Sequence, residues 1–293
     1  MLLIDAHTHL WLHQDTVVDG YPIRTTTRGR SLFFGEEVQM LPPFMIDGKN
    51  TAEVFLANMD YAQVSAAVVV QEFIDGNQND YLAEVQKQYP NRFFCCGMVD
   101  CREEDFLEHL PAVIAQFKGL AIPGHRLKRD LTSDEMMQLF HTLEDHNMIL
   151  SMCLADDARQ IAQMKEVIHE CPKLRIAIGH FGMPTTEHWE QQILLAREGD
   201  EVMVESGGIT WLYNSEFYPY PSAVNSIKRA ADMVGMDRLM WGSDYPRTIT
   251  AITYRMSYDF ITRTPLLTDD EKAMFLGQNA MRFYGFVDPV ELP

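Results

Sequence analysis

The chain has 293 residues, 46% hydrophobic and 23% charged, the balance of a soluble globular protein with length for two small domains or one large α/β barrel. Its 42 acidic residues against 24 Lys plus Arg give a formal net charge of −18, a surface that repels nucleic acid and anionic membrane and argues against both as partners. The five cysteines are odd in number and form no CxxC pair, which argues against a disulfide scaffold or a zinc knuckle. No charged-then-apolar leader opens the chain, and no run approaches the roughly 18 apolar residues of a membrane span, so a reducing, cytoplasmic setting is expected.

The first apolar run, LLID (2–5), leads straight into AHTHLW. Alternation along an extended strand puts His7 and His9 on one face, with Asp5 below them. Two imidazoles sharing a face just past a buried strand suit half of a metal site. They also suit a pair that finishes a strand and hydrogen-bonds nearby loops. Residues 13–50 come next, too long for an ordinary βα loop and showing few regular patterns. Within them YPIRTTTRGR gathers Arg24, Arg28 and Arg30 in an acidic protein, either as a solvated loop or as a lid whose arginines meet a substrate carboxylate.

Seven further apolar runs follow: AAVVVQ (66–71), FFCCGMV (93–99), GLAI (119–122), MILSMC (148–153), RIAIGH (175–180), EVMVES (201–206) and RLMWGS (238–243). They lack the alternation of a strand with one wet face, so they read as strands buried on both sides. Amphipathic stretches such as TAEVFLANMDYA, SDEMMQLFHTLEDH and DDARQIAQMKEVIHE lie between them, several opening on Ser, Thr, Asn or Asp as helix N-caps do. LTDDEKAMFLGQNAMRFY closes the chain as a helix capped near Thr268 or Asp269. Eight strands alternating with eight helical segments predict a (β/α)8 TIM barrel over 1–293, one domain with a long insertion after strand 1. A doubly wound open sheet would need a glycine-rich nucleotide turn after the first strand, and HTHLW is not one.

In such a barrel, functional side chains sit at the carboxyl ends of strands. Six predicted ends carry polar residues: His7 and His9; Gln71 and Glu72; His125 and Arg126 in PGHR; His180; Glu205 and Ser206; and Asp244. Core packing does not call for them, and buried ionisable groups are costly unless paired or metal-bound. A site on His7 and His9 therefore becomes the favoured reading.

At this point the chain resembles a known family. IDAHTH at the start, IGHFG two-thirds along and WGSDYP late in the chain look like the amidohydrolase superfamily, in particular its amidohydrolase-2 branch. AAVVVQEF, MVDCREEDFLEHLP and FKGLAI look most like its sugar-lactonase and related lactone-hydrolase group. The resemblance implies one divalent metal, Zn²⁺, on His7, His9 and Asp244, with Asp244 also the base for water and His180 polarising or positioning the substrate. Decarboxylases of the branch carry a further histidine after strand 5, where this chain has Met152 and Cys153. Cys153 is then a soft ligand or plain packing, and Lys118 lies at the wrong end of strand 4 to bridge a second metal.

The expectation is a metal-dependent hydrolase opening a lactone or similar cyclic ester of a sugar acid or carboxylated ring. His180 and His125 would stabilise the oxyanion. Arg126, Arg247 and the Arg24–Arg30 cluster would meet a substrate carboxylate, with Glu72 beside them, while Trp211 and Tyr245 form apolar walls. Trp211 is equally a structural aromatic. The expected partner is a small anionic substrate, and the chain is compatible with a homo-oligomer. The rivals are a metal-dependent nonoxidative decarboxylase of an aromatic or unsaturated acid, and a non-catalytic binding protein on the same scaffold.

Overall fold

The computed structural model describes residues 1–290 and 292. Strand β1 (Ile4–Thr8) is followed by four short strands, β2 (Asp15–Val18), β3 (Tyr21–Thr25), β4 (Arg30–Phe33) and β5 (Glu36–Gln39). Helix α1 (Ala52–Tyr61) then opens a regular alternation: β6 (Ala66–Val69), α2 (Asn79–Gln88), β7 (Phe93–Gly97), α3 (Phe106–Ile114), β8 (Gly119–Ile122), α4 (Asp134–Asp145), β9 (Ile149–Met152), α5 (Ala158–Glu170), β10 (Arg175–Ile178), α6 (Trp189–Leu194) and β11 (Val202–Glu205). The rest is α7 (Ile209–Leu212), α8 (Pro221–Val234), β12 (Leu239–Met240), α9 (Met256–Arg263), α10 (Asp269–Ala273) and α11 (Asn279–Tyr284).

The eight parallel strands run β1-β6-β7-β8-β9-β10-β11-β12, a (β/α)8 barrel in the predicted order. Backbone bonds from Ala6 N–H to Trp241 O and from Asp244 N–H to His7 O, 2.8 and 2.9 Å, join the last strand to the first. Strands β6, β8, β9 and β11 are buried at every position, which is why their sequences run apolar without alternation. Alternate strand residues (Ile4, Val68, Cys96, Ile149, Met203 and others) fill the barrel interior, and Phe283 and Tyr284 of α11 plug its lower end. Ser133 caps α4, and a Thr268–Glu271 capping box starts α10.

Two expectations need correction. Residues 13–50 are not pattern-free: β2–β5 form an antiparallel sheet in the order β2-β3-β4-β5. Its two-residue hairpins turn on Asp19–Gly20 and Phe34–Gly35, all four at positive φ, the backbone that Asp-Gly favours. Val18 and Ile23 of this sheet pack on Phe73 and Met98, fixing it over the carboxyl end of the barrel. Asp5, in turn, does not share a face with both histidines. Between Asp5↔Ala67 and Thr8↔Val69 the pairing of β1 with β6 gains one residue on β1, re-aiming the chain beyond it. Asp5 accepts hydrogen bonds from Tyr254 Oη at 2.7 Å and Ser243 N–H at 2.8 Å, tying β1 to the loop that carries Asp244.

Candidate active site

A pocket of about 460 Å³ opens at the carboxyl end of the barrel, within the usual range for a small-molecule site. His7, His9, Gln71, Glu72, His125, Arg126, His180, Trp211, Asp244 and Arg247 all line it. They come from both ends of the chain and from most of the strand ends between.

At its floor the two β1 imidazoles face each other. His7 Nδ1 lies 2.7 Å from Glu205 Oε1, and His9 Nδ1 lies 3.0 Å from Asp75 Oδ2. A carboxylate only accepts, so each Nδ1 carries the proton and each Nε2 turns its lone pair to the site. Those two Nε2 atoms are 3.2 Å apart, and Asp244 Oδ1 lies 3.3 Å from His9 Nε2 and 3.8 Å from His7 Nε2. Two lone pairs and a carboxylate oxygen converging in this way repel unless a cation or a proton lies among them. The geometry and the N, N, O donor set suit a divalent metal.

The electrostatics agree. Burial lowers the His7 imidazole despite Glu205, keeping it neutral as a ligand must be. Burial also pulls His9 down, but the Asp75 and Asp244 carboxylates outweigh it and hold His9 well above its usual value, so without a metal a proton on its Nε2 takes the place between the donors that a cation would fill. For Asp244, burial is outweighed by His9 and His180, so it stays ionised well below the carboxylate range. Asp244 sits at φ 61° on the turn after β12, and its Oδ2 accepts from Trp211 Nε1 at 2.7 Å.

Glu205 is the hub beneath. Its Oε1 also accepts His180 N–H at 3.0 Å, and its Oε2 accepts Gly207 N–H at 2.5 Å. Gly242 of the WGSDYP stretch has no side chain for a packing reason: a Cβ there would lie 2.6 Å from Glu205 Oε2 and 2.7 Å from His7 Cβ. His180 donates from Nδ1 to Gly207 O at 2.9 Å, which turns Nε2 toward the cluster. Burial lowers its imidazole, but the Cys153 sulfur and the Asp244 and Glu205 carboxylates raise it to about 10, which favours a proton on Nε2.

Other expected residues fall less simply. Cys153, directly after β9, lines the pocket with its donor atom within 4.8 Å of those of His7 and His180. Arg126 is engaged: its Nε donates to both oxygens of Glu72 at 2.8 and 2.7 Å. Burial raises Glu72 above its usual value, with Arg126 opposing the shift. Arg247 donates from Nη1 to Gln39 O at 3.1 Å, and His125 is exposed at the mouth. Tyr245 is not a pocket wall. It is fully buried, stacked on Phe55 with ring centroids 4.0 Å apart, on the far side of the turn at Asp244 from the pocket.

The arginines of the insertion do not line the pocket: Arg24 pairs with Asp15 and Arg30 with Glu37, both pairs exposed, and Arg28 is exposed outside it. What the insertion gives the pocket is apolar: Phe33, Val38 and Met40. Asp75 escaped the strand-end rule because it lies in a short turn (Phe73–Asp75) beyond β6. Its signal was a carboxylate within the EFID stretch just past a predicted strand end.

The amidohydrolase family model Amidohydro_2 matches residues 4–286. An L-fucono-1,5-lactonase from Burkholderia ambifaria is 25% identical over 310 residues, covering 96% of this chain and 94% of that protein. A probable 2-pyrone-4,6-dicarboxylic acid hydrolase from Acinetobacter baumannii, with citric acid bound, superposes with a TM-score of 0.71 at 20% identity, covering 98% of this chain and all of that one (100%). An amidohydrolase from Burkholderia multivorans with bound Zn superposes with the same TM-score, 0.71, at 15% identity over 97% of this chain and 99% of that one. These two structures share the barrel. Among the described residues, no helix is long and apolar enough to cross a membrane.

Proposed function

The chain belongs to the amidohydrolase family, and from that membership we propose that it is a metal-dependent hydrolase that opens a lactone or similar cyclic ester. The observation that carries this reading is the meeting of His7, His9 and Asp244 with His180 on one pocket floor. The lactonase and pyrone-hydrolase relatives support the same reaction type.

Zn²⁺ is the proposed ion, held by His7 Nε2, His9 Nε2 and Asp244, and when bound it supplies Lewis acidity to water and carbonyl. The rest falls to side chains. Asp244 takes the proton of the attacking water through Oδ1, while the Trp211 N–H fixes Oδ2 and so the direction of the free lone pairs. His180 donates through Nε2 to the carbonyl oxygen as negative charge gathers there, and His125 at the mouth is a second donor. As the ring ester bond breaks, the proton held by Asp244 passes to the leaving alkoxide. Glu205 and Asp75 hold the two ligand imidazoles in the right tautomer. Arg247, with the remaining guanidinium N–H groups of Arg126, is the proposed contact for a substrate carboxylate.

Cys153 in the position after β9 favours the hydrolase over the decarboxylase reading, since no histidine from that strand adds to the ligand set. Metal-loaded protein incubated with a lactone panel, followed by acid release, and with hydroxybenzoates, followed by CO₂ release, separates the two. Lactone turnover that disappears in Asp244→Asn is the expected result. Decarboxylation without lactone turnover overturns it, and ligand binding without any turnover points to a non-catalytic scaffold.

A further inference from the structure

The pocket floor is polar and its wall is not. Phe33 and Val38 of the added sheet and Met40 just past it, with Ile74, Leu154 and Met183, enclose the space in front of the imidazoles. This wall is preformed, because Phe33 joins the cluster of Val18, Ile23 and Phe73 that holds the sheet on the barrel.

Most polar side chains between floor and mouth already have partners; the Ser151 hydroxyl is the exception, on β9, away from the wall of the insertion, and Asp156 accepts from His188. Gln71 donates to Asn79 Oδ1 and Cys96 O, at 2.8 and 3.0 Å, and accepts from Gln78 N–H at 2.8 Å. Glu72 holds Arg126, and the Thr186 hydroxyl donates back to Met183 O at 2.9 Å. A ring hydroxyl turned to this wall gives up water and finds no partner, whereas an apolar group gains by leaving water. Arg126 and Arg247 provide for one anionic group, not for a row of hydroxyls, and desolvation with Arg126 beside it lowers the His125 imidazole to about 3 and leaves it uncharged.

We propose that the lactone opened here carries an apolar substituent, alkyl or aryl, packed on Phe33, Val38 and Met40, in place of the hydroxyls of a sugar ring. The inference rests on the lactonase reading above. It departs from the sugar-lactone substrate named for the Burkholderia ambifaria relative.

The test compares kcat/KM of the metal-loaded full chain for δ-valerolactone, the aryl-fused δ-lactone dihydrocoumarin, and D-glucono-1,5-lactone. Dihydrocoumarin is expected to exceed the polyhydroxylated lactone by about tenfold or more, and since its phenol is also the better leaving group, the part of that excess owed to the wall is the part lost in the wall variants. Phe33→Ala, with Val38→Ser as a second variant on an edge strand, is expected to lower the ratio of dihydrocoumarin to δ-valerolactone by about tenfold, chiefly through KM. A preference for the sugar lactone, or an unchanged ratio in both variants, overturns the proposal.

A binding arm separates this failure from failure of the reaction itself. Calorimetric titration with the aryl-fused δ-lactam and with δ-valerolactam reads the wall without turnover. Tighter binding of the aryl-fused lactam, lost in Phe33→Ala, supports the wall even if no lactone is opened. Equal binding of the two lactams overturns it.

Discussion

Glu205→Gln is the most informative single substitution, because Glu205 touches no substrate. Its two oxygens accept three N–H donors: His7 Nδ1, His180 N and Gly207 N. Glutamine has one carbonyl oxygen. If that oxygen takes the Oε1 position, the new NH₂ faces the Gly207 N–H donor to donor, and the opposite flip strands His7 and His180. A buried donor left without a partner costs about 1–3 kcal/mol. Losing the carboxylate behind a ligand histidine lowers metal affinity by about 10–100-fold, or about 1.4–2.7 kcal/mol. Competition against a chromophoric chelator measures that affinity, and thermal unfolding of the apo-protein measures the structural cost separately. Glu72→Gln is the control, since Glu72 pairs with Arg126 and with neither imidazole. Equal metal affinity in Glu205→Gln and wild type, with only the apo-protein destabilised, would refute the assignment of His7 as a ligand.

Three further outcomes follow from the same geometry. Asp244→Asn removes the proton acceptor while keeping the shape, and kcat for lactone opening falls by about 10²–10⁴-fold with an unchanged circular dichroism spectrum. Trp211→Phe frees Asp244 Oδ2 from its 2.7 Å partner, so kcat falls by about tenfold while KM moves less; a change in KM alone would make Trp211 a wall and nothing more. The double variant Arg24→Ala, Arg30→Ala removes two exposed ion pairs, and steady-state kinetics stay at wild-type values with carboxylated and neutral lactones alike.

The barrel was legible because its strands are buried on both faces, so AAVV and GLAI carry no polar punctuation that could mislead. The meeting of His7, His9, His180 and Asp244 in one pocket was legible because charge at the end of an apolar run is costly unless it is paired. The sheet of the insertion was missed since its strands are four or five residues long and half-exposed, although Asp19–Gly20 marked the first hairpin. The side of a strand was harder to read than its existence. One added residue in β1 turned Asp5 away from the histidines, and adjacency in WGSDYP said nothing of Tyr245 packing on Phe55. Pairings such as His9 with Asp75 depend on how a short turn folds back, which spacing along a chain does not encode.

The most direct test is an anomalous-difference map, recorded at the zinc edge, from crystals of the zinc-loaded protein. A single peak about 2.0–2.2 Å from His7 Nε2, His9 Nε2 and an Asp244 carboxylate oxygen is the predicted result. Stoichiometric zinc with its peak elsewhere, and none among those three side chains, contradicts it.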